Sequence, residues 1–403
     1  MDMEKTVLGL KELLLNLLYF NSTYTIAELS GLTNKSIPSI SKIVNELLED
    51  GILIEDGLAP STGGRRAIHY ALNAKLNCYI LTVAIDQHYT SVVVYDLHNK
   101  EVTPVHTIEN HLDHPEEAFS NIVRLINELL TKHHLSADNI LGIGVSMPGF
   151  VDNVSGTNGS FKDFQLFNIK KEFERVFAIP TFIENDSTAI AIAEQNFGKA
   201  KEISDALIIN VGWGVGLGII VDNKLFRGFS GYAGEFSHIP LSKSKKMCSC
   251  GKNGCLEVEA SLSAAAEHFE ERLAAGEKSV IQYEDSQNQL QKAQLLINAA
   301  LGGDQLAISV LNKSAYMLGK GIATLIHIMN PQKIIISGRG AEAGKILMPQ
   351  IQTAINEFCI PKISNKTVLE ISDMKNAQLI GTASIVFEYS LTKFANLNKS
   401  LIK

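Results

Sequence analysis

No uninterrupted apolar run of about 18 residues occurs in this chain, so nothing in it reads as a transmembrane helix. No secretory leader is expected either: residues Met1 to Leu10 are acidic before they are apolar, and no small-residue cleavage site follows. The expected location is the cytoplasm, with no membrane partner. Basic charge is not in excess either. The 36 Lys and Arg residues face 43 Asp and Glu residues, for a net charge of −7. That excludes wholesale electrostatic attachment to nucleic acid, but leaves room for one small domain with a local basic face. Cysteine is scarce and odd in number. Five are present, and three fall within eight residues of each other, a poor disulfide framework and a good metal one. Cys78 and Cys359, far from that group, read as ordinary buried residues. Low-complexity segments are absent, and 45% hydrophobic with 20% charged residues is ordinary for a globular protein, which excludes disordered and fibrous classes. A length of 403 residues predicts two or three domains.

What is there begins with a small helical unit over residues 1–73. The segment Val7 to Tyr19 carries Leu at helical spacing. Thr25 and Glu28 stand at capping-box spacing and open a second, short helix, with Gly31 as its expected stop. Ser36 is an N-cap for a third helix with Pro38 in its first turn, where a missing N–H costs little. Ile37, Ile40, Ile43, Val44, Leu47 and Leu48 form its apolar stripe, and Gly51 ends it. Two short strands follow, Ile52 to Glu55 and Ala67 to Leu72, joined by a Gly-rich stretch ending in Arg65 and Arg66. Helix, short helix, turn, helix and hairpin is the order of a winged helix-turn-helix.

In that motif the third helix reads DNA. Its early outward positions are Ile37, Ser39, Ser41, Lys42 and Asn45, and small hydroxyls, an amide and a lysine suit base edges and phosphates in a major groove. Arg65 and Arg66 on the wing reach a neighbouring minor groove or phosphate. The unit is not basic overall, with six Lys/Arg against nine Asp/Glu, but Glu49, Asp50, Glu55 and Asp56 cluster at the helix-to-wing turn, which need not face DNA. The same residues also fit a helical protein-interaction module.

From about Cys78 the pattern changes to alternating strands and helices. Strands are expected at Tyr79–Ile85, Ser91–Tyr95, Ile140–Ser146, Thr181–Ile183, Ala206–Asn210, Leu217–Val221 and Lys333–Ser337, and helices near 115–133 and across most of 261–328. The pattern runs twice, which predicts an α/β fold of two lobes, 77–195 and 196–395, with a cleft between them.

Within the second lobe, Cys248, Cys250 and Cys255 place three thiolates on one Gly-containing loop. Zinc takes four N/S ligands, and His238, ten residues earlier, is the candidate fourth. Three Cys and one His leave no open position, so the expected zinc is structural.

These segments resemble the ROK family of repressors, open reading frames and sugar kinases, specifically its winged-helix xylose and N-acetylglucosamine repressors. The family's CxCGxxGCxE signature stands as Cys248-Ser249-Cys250-Gly251-Lys252-Asn253-Gly254-Cys255-Leu256-Glu257, and its GExxH element as Gly234-Glu235-Phe236-Ser237-His238. Glu184-Asn185-Asp186, Pro148-Gly149-Phe150-Val151-Asp152 and Asn330-Pro331 match further elements. The resemblance implies an actin- and hexokinase-like (ribonuclease H-like) domain with a sugar in the interlobe cleft, held by Asn185, Asp186, Glu235, His238 and Glu257, and by a loop near Asn158 to Lys162. His238 would ligate zinc through one ring nitrogen and the sugar through the other. Asp186 alone also reads as the N-cap of the helix that follows it.

In the family's kinases Asp186 would be the general base. Their phosphate-gripping turns are Gly-rich. The first should read DxGGT and stands as Asp86-Gln87-His88-Tyr89-Thr90; the second should read GTG and stands as Gly212-Trp213-Gly214, with the single tryptophan of the chain. Val215-Gly216-Leu217-Gly218 keeps some of the glycine pattern, which also suits a plain hairpin. The reading is a sugar-responsive repressor without kinase activity, acting as a dimer or tetramer on a palindromic operator. An active or moonlighting ATP-dependent sugar kinase is the alternative.

Overall fold

The computed structural model describes residues 2–60, 66–161, 165–281 and 289–396. Arg65 of the wing and Lys162 of the expected sugar loop lie outside the described residues.

The N-terminal unit runs α1 (Asp2–Asn21), β1 (Thr23–Thr25), α2 (Ile26–Thr33), α3 (Ile37–Glu49), β2 (Leu53–Leu58) and β3 (Ile68–Leu72), with an antiparallel sheet ordered β1-β3-β2. The capping box forms: Glu28 N donates to Thr25 Oγ1 at 3.2 Å and Thr25 N donates to Glu28 Oε2 at 2.7 Å. α2 does not stop at Gly31. It continues to Thr33 and ends at Asn34, whose φ of 53° is left-handed. Asparagine tolerates that conformation, so it takes the role expected of glycine. Ser36 caps α3 by accepting from Ser39 N. Ile40, Ile43, Val44 and Leu47 are buried as the period predicts, but Ile37 is 56% exposed and leaves the apolar stripe for the outward face.

The first lobe contains β4 (Tyr79–Ile85), β5 (Tyr89–Tyr95), β6 (His106–Glu109), α4 (Pro115–Lys132), β7 (Ile140–Met147), the two-residue strands β8 (Val151–Asp152) and β9 (Thr157–Asn158), α5 (Ile169–Phe177), β10 (Thr181–Asn185) and α6 (Asp186–Phe197). The second contains β11 (Ala206–Val211), β12 (Val215–Val221), β13 (Lys224–Leu225), α7 (Glu257–Ala260), α8 (Leu262–Ala274), α9 (Gln289–Leu301), α10 (Gln305–Met329), β14 (Lys333–Ser337), α11 (Gly344–Phe358), α12 (Pro361–Ser364), β15 (Val368–Ile371), α13 (Ala377–Tyr389) and α14 (Leu391–Ala395).

The two sheets have one topology. The orders are β6-β5-β4-β7-β10 and β13-β12-β11-β14-β15, and in both the first two pairings are antiparallel and the last two parallel. The helix that follows the final strand of each sheet packs on the other sheet. α6 shares a core with β11 and β12 through Ile190, Ala191, Ala206, Ile208 and Ile220. α13 covers β4 and β7, with Ala383 and Val386 against Ile80 and Leu141. The spans 77–195 and 196–395 therefore divide the strands between the sheets, while α6 and α13 tie the lobes together. These helices cross at Gly381, where any Cβ would overlap the carbonyl oxygen of Ala189.

The N-terminal unit is docked on the first lobe. Leu14, Leu15, Leu18 and Tyr19 of α1 share one core with Tyr95, Leu97, Phe387 and Phe394. Tyr19 stacks on Phe387 at 3.9 Å with the rings 6° from parallel, and its hydroxyl donates to Asn99 at 2.7 Å. Among the described residues no single helix is long and apolar enough to cross a membrane.

Candidate functional site

A cavity of about 1360 Å³ opens between the two sheets, walled by both lobes. Asn185, Asp186, Glu235, His238 and Glu257 all line it, so the structure brings together five residues drawn from three separate segments of sequence. Asn185 ends β10 and is the N-cap of α6: its Oδ1 accepts from Ser187 N and Thr188 N at 3.0 and 3.1 Å, and its Nδ2 donates to the carbonyl of Gly149. The cap is therefore Asn185, and Asp186 is the first residue of the helix proper. With Oδ1 occupied and one N–H committed, Asn185 keeps one donor for a ligand. The loop over the cleft is held by its own polar groups. Asn158 Nδ2 donates to Pro148 O, Ser160 N donates to Asn158 Oδ1, and Phe150 N donates to Ser160 Oγ. Gly159, Ser160 and Phe161 face the cavity.

The cleft's charge is negative where these residues meet. Burial pushes the Asp186 carboxyl up to about 6; Asp86 and Glu235 add to the rise, and hydrogen bonds from Ser187 oppose it. Burial also raises Glu235, which Glu257 reinforces and His238 opposes. Carboxylates accept and do not donate, so this end of the cavity suits a ligand rich in hydroxyl donors.

His238, Cys248, Cys250 and Cys255 present ligand atoms all within 4.8 Å of one another. His238 Nδ1 lies 3.5 Å from Cys248 Sγ, and Cys250 Sγ lies 3.5 Å from Cys255 Sγ. A tetrahedron with metal–sulfur bonds of about 2.3 Å has edges of about 3.7 Å, so the donor set fits a closed four-coordinate ion. Backbone pairing holds the loop in place: Cys248 N donates to Lys252 O, Ser242 N to Gly254 O and Leu256 N to Ile239 O. The other ring nitrogen of His238, Nε2, faces Glu235 Oε2 at 3.6 Å, toward the cavity. Glu257 follows the last cysteine by two residues and opens α7, so the loop and the cleft are one piece of chain.

Beside these carboxylates lie the turns expected to grip phosphate. His88 stands at the β4–β5 turn and meets Trp213 of the β11–β12 turn edge-on, with centroids 5.1 Å apart. Tyr89 is buried beneath the turn and does not line the main cavity. Gly216 and Gly218 serve packing: a Cβ at either would overlap Ser187 or Ala191 of α6. Their pattern follows from the close approach of β12 to that helix.

Sequence reading missed two polar ties. Arg227, beyond β13 in the second lobe, donates to Glu184 of the first at 2.5 Å; Glu184 is buried and also accepts from Asn185 N. An isolated arginine on a loop carries no spacing signal. Gln378, in the first turn of α13, donates to Ser146 Oγ at 3.0 Å and lines the cavity. On the N-terminal unit, Ile37, Ser39, Lys42, Asn45 and Arg66 are exposed and Ser41 is partly so, leaving the outward face of α3 free of the core.

A winged helix packed on a two-lobed, duplicated α/β domain of the sugar-kinase type, with a polar interlobe cleft and a Cys-His cluster, defines the class. The chain belongs to the ROK family, whose model matches residues 81–388. It is 29% identical over 388 residues to the xylose repressor of Bacillus spizizenii, covering 94% of this chain and 95% of that protein. It is 30% identical over 371 residues to the DNA-binding transcriptional dual regulator NagC of Escherichia coli, covering 91% and 87%. A solved ROK family transcriptional regulator, a homolog of the E. coli MLC protein, superposes with a TM-score of 0.73 at 26% identity over 92% of this chain and 93% of that one. A ROK family glucokinase from Streptomyces griseus, solved with glucose and AMPPNP, has the same fold, with a TM-score of 0.67 over 76% of this chain and 98% of its own.

Proposed function

We propose that the protein is a sugar-responsive transcriptional repressor that binds operator DNA through its winged helix and an effector sugar in the interlobe cleft. The observation that carries this is the packing of a capped, outward-facing α3 unit onto a domain whose cleft gathers Asn185, Asp186, Glu235, His238 and Glu257. Relatives named as a xylose repressor and as a DNA-binding transcriptional dual regulator align along more than nine-tenths of the chain, which supports the reading. In it, Ile37, Ser39, Ser41, Lys42 and Asn45, with Arg65 and Arg66, face the DNA. Cys248, Cys250, Cys255 and Nδ1 of His238 hold a structural zinc ion, which supplies folding energy and leaves His238 Nε2 for the sugar. Two copies set two recognition helices in successive major grooves of a palindrome.

The test is capture of fragmented genomic DNA on the immobilised protein, followed by anisotropy titration of a captured fragment with hexoses, pentoses, N-acetylhexosamines and their phosphates. A sugar that raises the thermal midpoint changes DNA affinity, and DNA changes sugar affinity by the same factor. Failure to enrich any fragment overturns the DNA half. A second reading, an ATP-dependent sugar kinase, is favoured by Asp186, whose value near 6 suits a general base. A coupled assay of ATP consumption with Asp186→Ala as control decides it; the repressor reading expects no turnover above that control.

A further inference from the structure

The β4–β5 and β11–β12 turns occupy equivalent places in the two duplicated sheets, and they face each other across one end of the cleft. In each, the residue that projects is an aromatic ring, and the two rings touch. His88 is backed on its far side: its Nδ1 lies 3.2 Å from Nδ1 of His111, whose Nε2 bonds Glu109 at 2.9 Å. The backbone of its turn is pinned by Asn110 N donating to His88 O at 2.8 Å and Leu112 N to Gln87 O at 3.1 Å. The imidazole is thus a braced post. Trp213 is braced from the second lobe. Leu262 N donates to Gly212 O at 3.1 Å and Ser263 N to Trp213 O at 3.4 Å, so the start of α8 hangs on this turn. α7, immediately before α8, begins at Glu257, one of the carboxylates that face the cleft. A Cβ on Gly214 would stand 3.1 Å from Glu257 Oε2, which shows how near the turn lies to that carboxylate. Beneath the rings, Asp86, Tyr89, Leu262 and Arg339 enclose a void of only about 10 Å³, so the contact is closed on that side.

We propose that the His88–Trp213 contact is an interlobe clasp. It bridges the two turns, holds the lobes at a set angle, and positions Glu257 through the backbone bonds from Leu262 to Gly212 and from Ser263 to Trp213. Glu257 stands at the carboxylate end of the cleft. The proposal rests on the reading of that end as a sugar site, but its geometry is tested without sugar or DNA.

Trp213 is the single tryptophan of the chain, so all tryptophan emission comes from this turn. The experiment compares acrylamide quenching and small-angle scattering of the full-length protein with those of His88→Ala and His88→Phe. The expected result is a shielded tryptophan in the native protein. In His88→Ala the open fraction rises by about 2- to 12-fold, the factor by which loss of one edge-to-face ring pair moves an equilibrium. Quenching and radius of gyration rise together. His88→Phe, which keeps a ring edge for the indole, restores both. Equal quenching and equal radius in the native protein and His88→Ala overturn the clasp, as does failure of His88→Phe to restore either. Should His88→Ala not fold, Trp213→Thr with scattering alone decides: an unchanged radius overturns the proposal. Loss of sugar or operator binding in a protein that passes these tests counts against the proposed function and leaves the clasp standing.

Discussion

Asp186 offers the sharpest quantitative test, because its environment raises a carboxyl that would ordinarily titrate near 3.8 to about 6. The folded value lies above the unfolded one, so between these two limits the native state binds more protons than the unfolded chain. Stability contributed by this group is therefore full below pH of about 4, falls as pH rises, and is lost above about 6. A rise of about two units at 1.36 kcal/mol each bounds the loss at about 3 kcal/mol. Asp186→Asn removes the titration and keeps an oxygen to accept from Ser187 N, which Asp186 Oδ1 does at 2.7 Å. Urea unfolding of native and variant protein, followed through Trp213 across that pH range, gives the difference in stability at each pH. The variant gains on the native protein as pH rises, by up to about 3 kcal/mol, and the gain levels off above pH of about 6. Titrations of groups that do not interact with Asp186 act on both proteins and cancel in the difference. A difference that stays flat across the range refutes the burial and repulsion assigned to Asp186. Ligand binding carries the opposite sign: a hydroxyl donating to the ionised carboxylate offsets its lost hydration, so sugar affinity rises with pH through the same window.

Three further outcomes follow from other parts of the molecule. Gly381→Ala forces α6 and α13 apart where backbone, not a movable side chain, blocks the new methyl, and destabilises the protein by about 1–3 kcal/mol or more in urea unfolding; a change near zero refutes the close crossing. Removing metal with a chelator lowers the thermal midpoint and abolishes sugar binding, because the loop that carries the cysteines also carries Glu257 and restrains His238; normal sugar binding by chelated protein sinks the shared role of His238. Lys42→Ala weakens operator binding about equally across sequences and reduces the salt slope by about one, measured by anisotropy at several salt concentrations.

Local signals were the legible ones. Thr25 with Glu28 and Ser36 with Pro38 announce helix starts because capping is a contact between residues three apart, and it forms as read. The cysteine loop is legible for the same reason: its spacing alone sets the thiolates within reach of one ion. β1 escaped because three residues show no alternation, and the end of α2 was misplaced because Asn34 does glycine's work. The exchange of α6 and α13 between the sheets leaves no local trace. It depends on Gly381 meeting Ala189, nearly two hundred residues away, and an isolated glycine in a helix carries no address. Arg227 and Gln378 were invisible for the same reason: each matters for what the fold sets opposite it.

That exchange also bears on how an occupied cleft reaches the DNA-facing unit. A ligand moves an equilibrium only through unequal affinity for its two states. Asn185 and Asp186, two of the groups expected to hold sugar, sit at the start of α6, and α6 crosses α13 at Gly381, where a Cβ would overlap the carbonyl oxygen of Ala189. The first turn of α13 walls the cleft through Gln378; its last turn places Phe387 flat on Tyr19 of α1. Thirteen residues at about 1.5 Å each make a strut of about 20 Å with one end in each site. Its far end is not a flexible tether, because Tyr19 is also bonded to Asn99, and Thr392 of α14 donates to Glu12 of α1. A change in lobe angle that tilts α13 must therefore either carry the winged helix with it or break a stacked, hydrogen-bonded and fully buried ring. Breaking an aromatic stack of this kind costs about 0.5–1.5 kcal/mol beyond its lost burial, which opposes any tilt of α13 that leaves the winged helix behind.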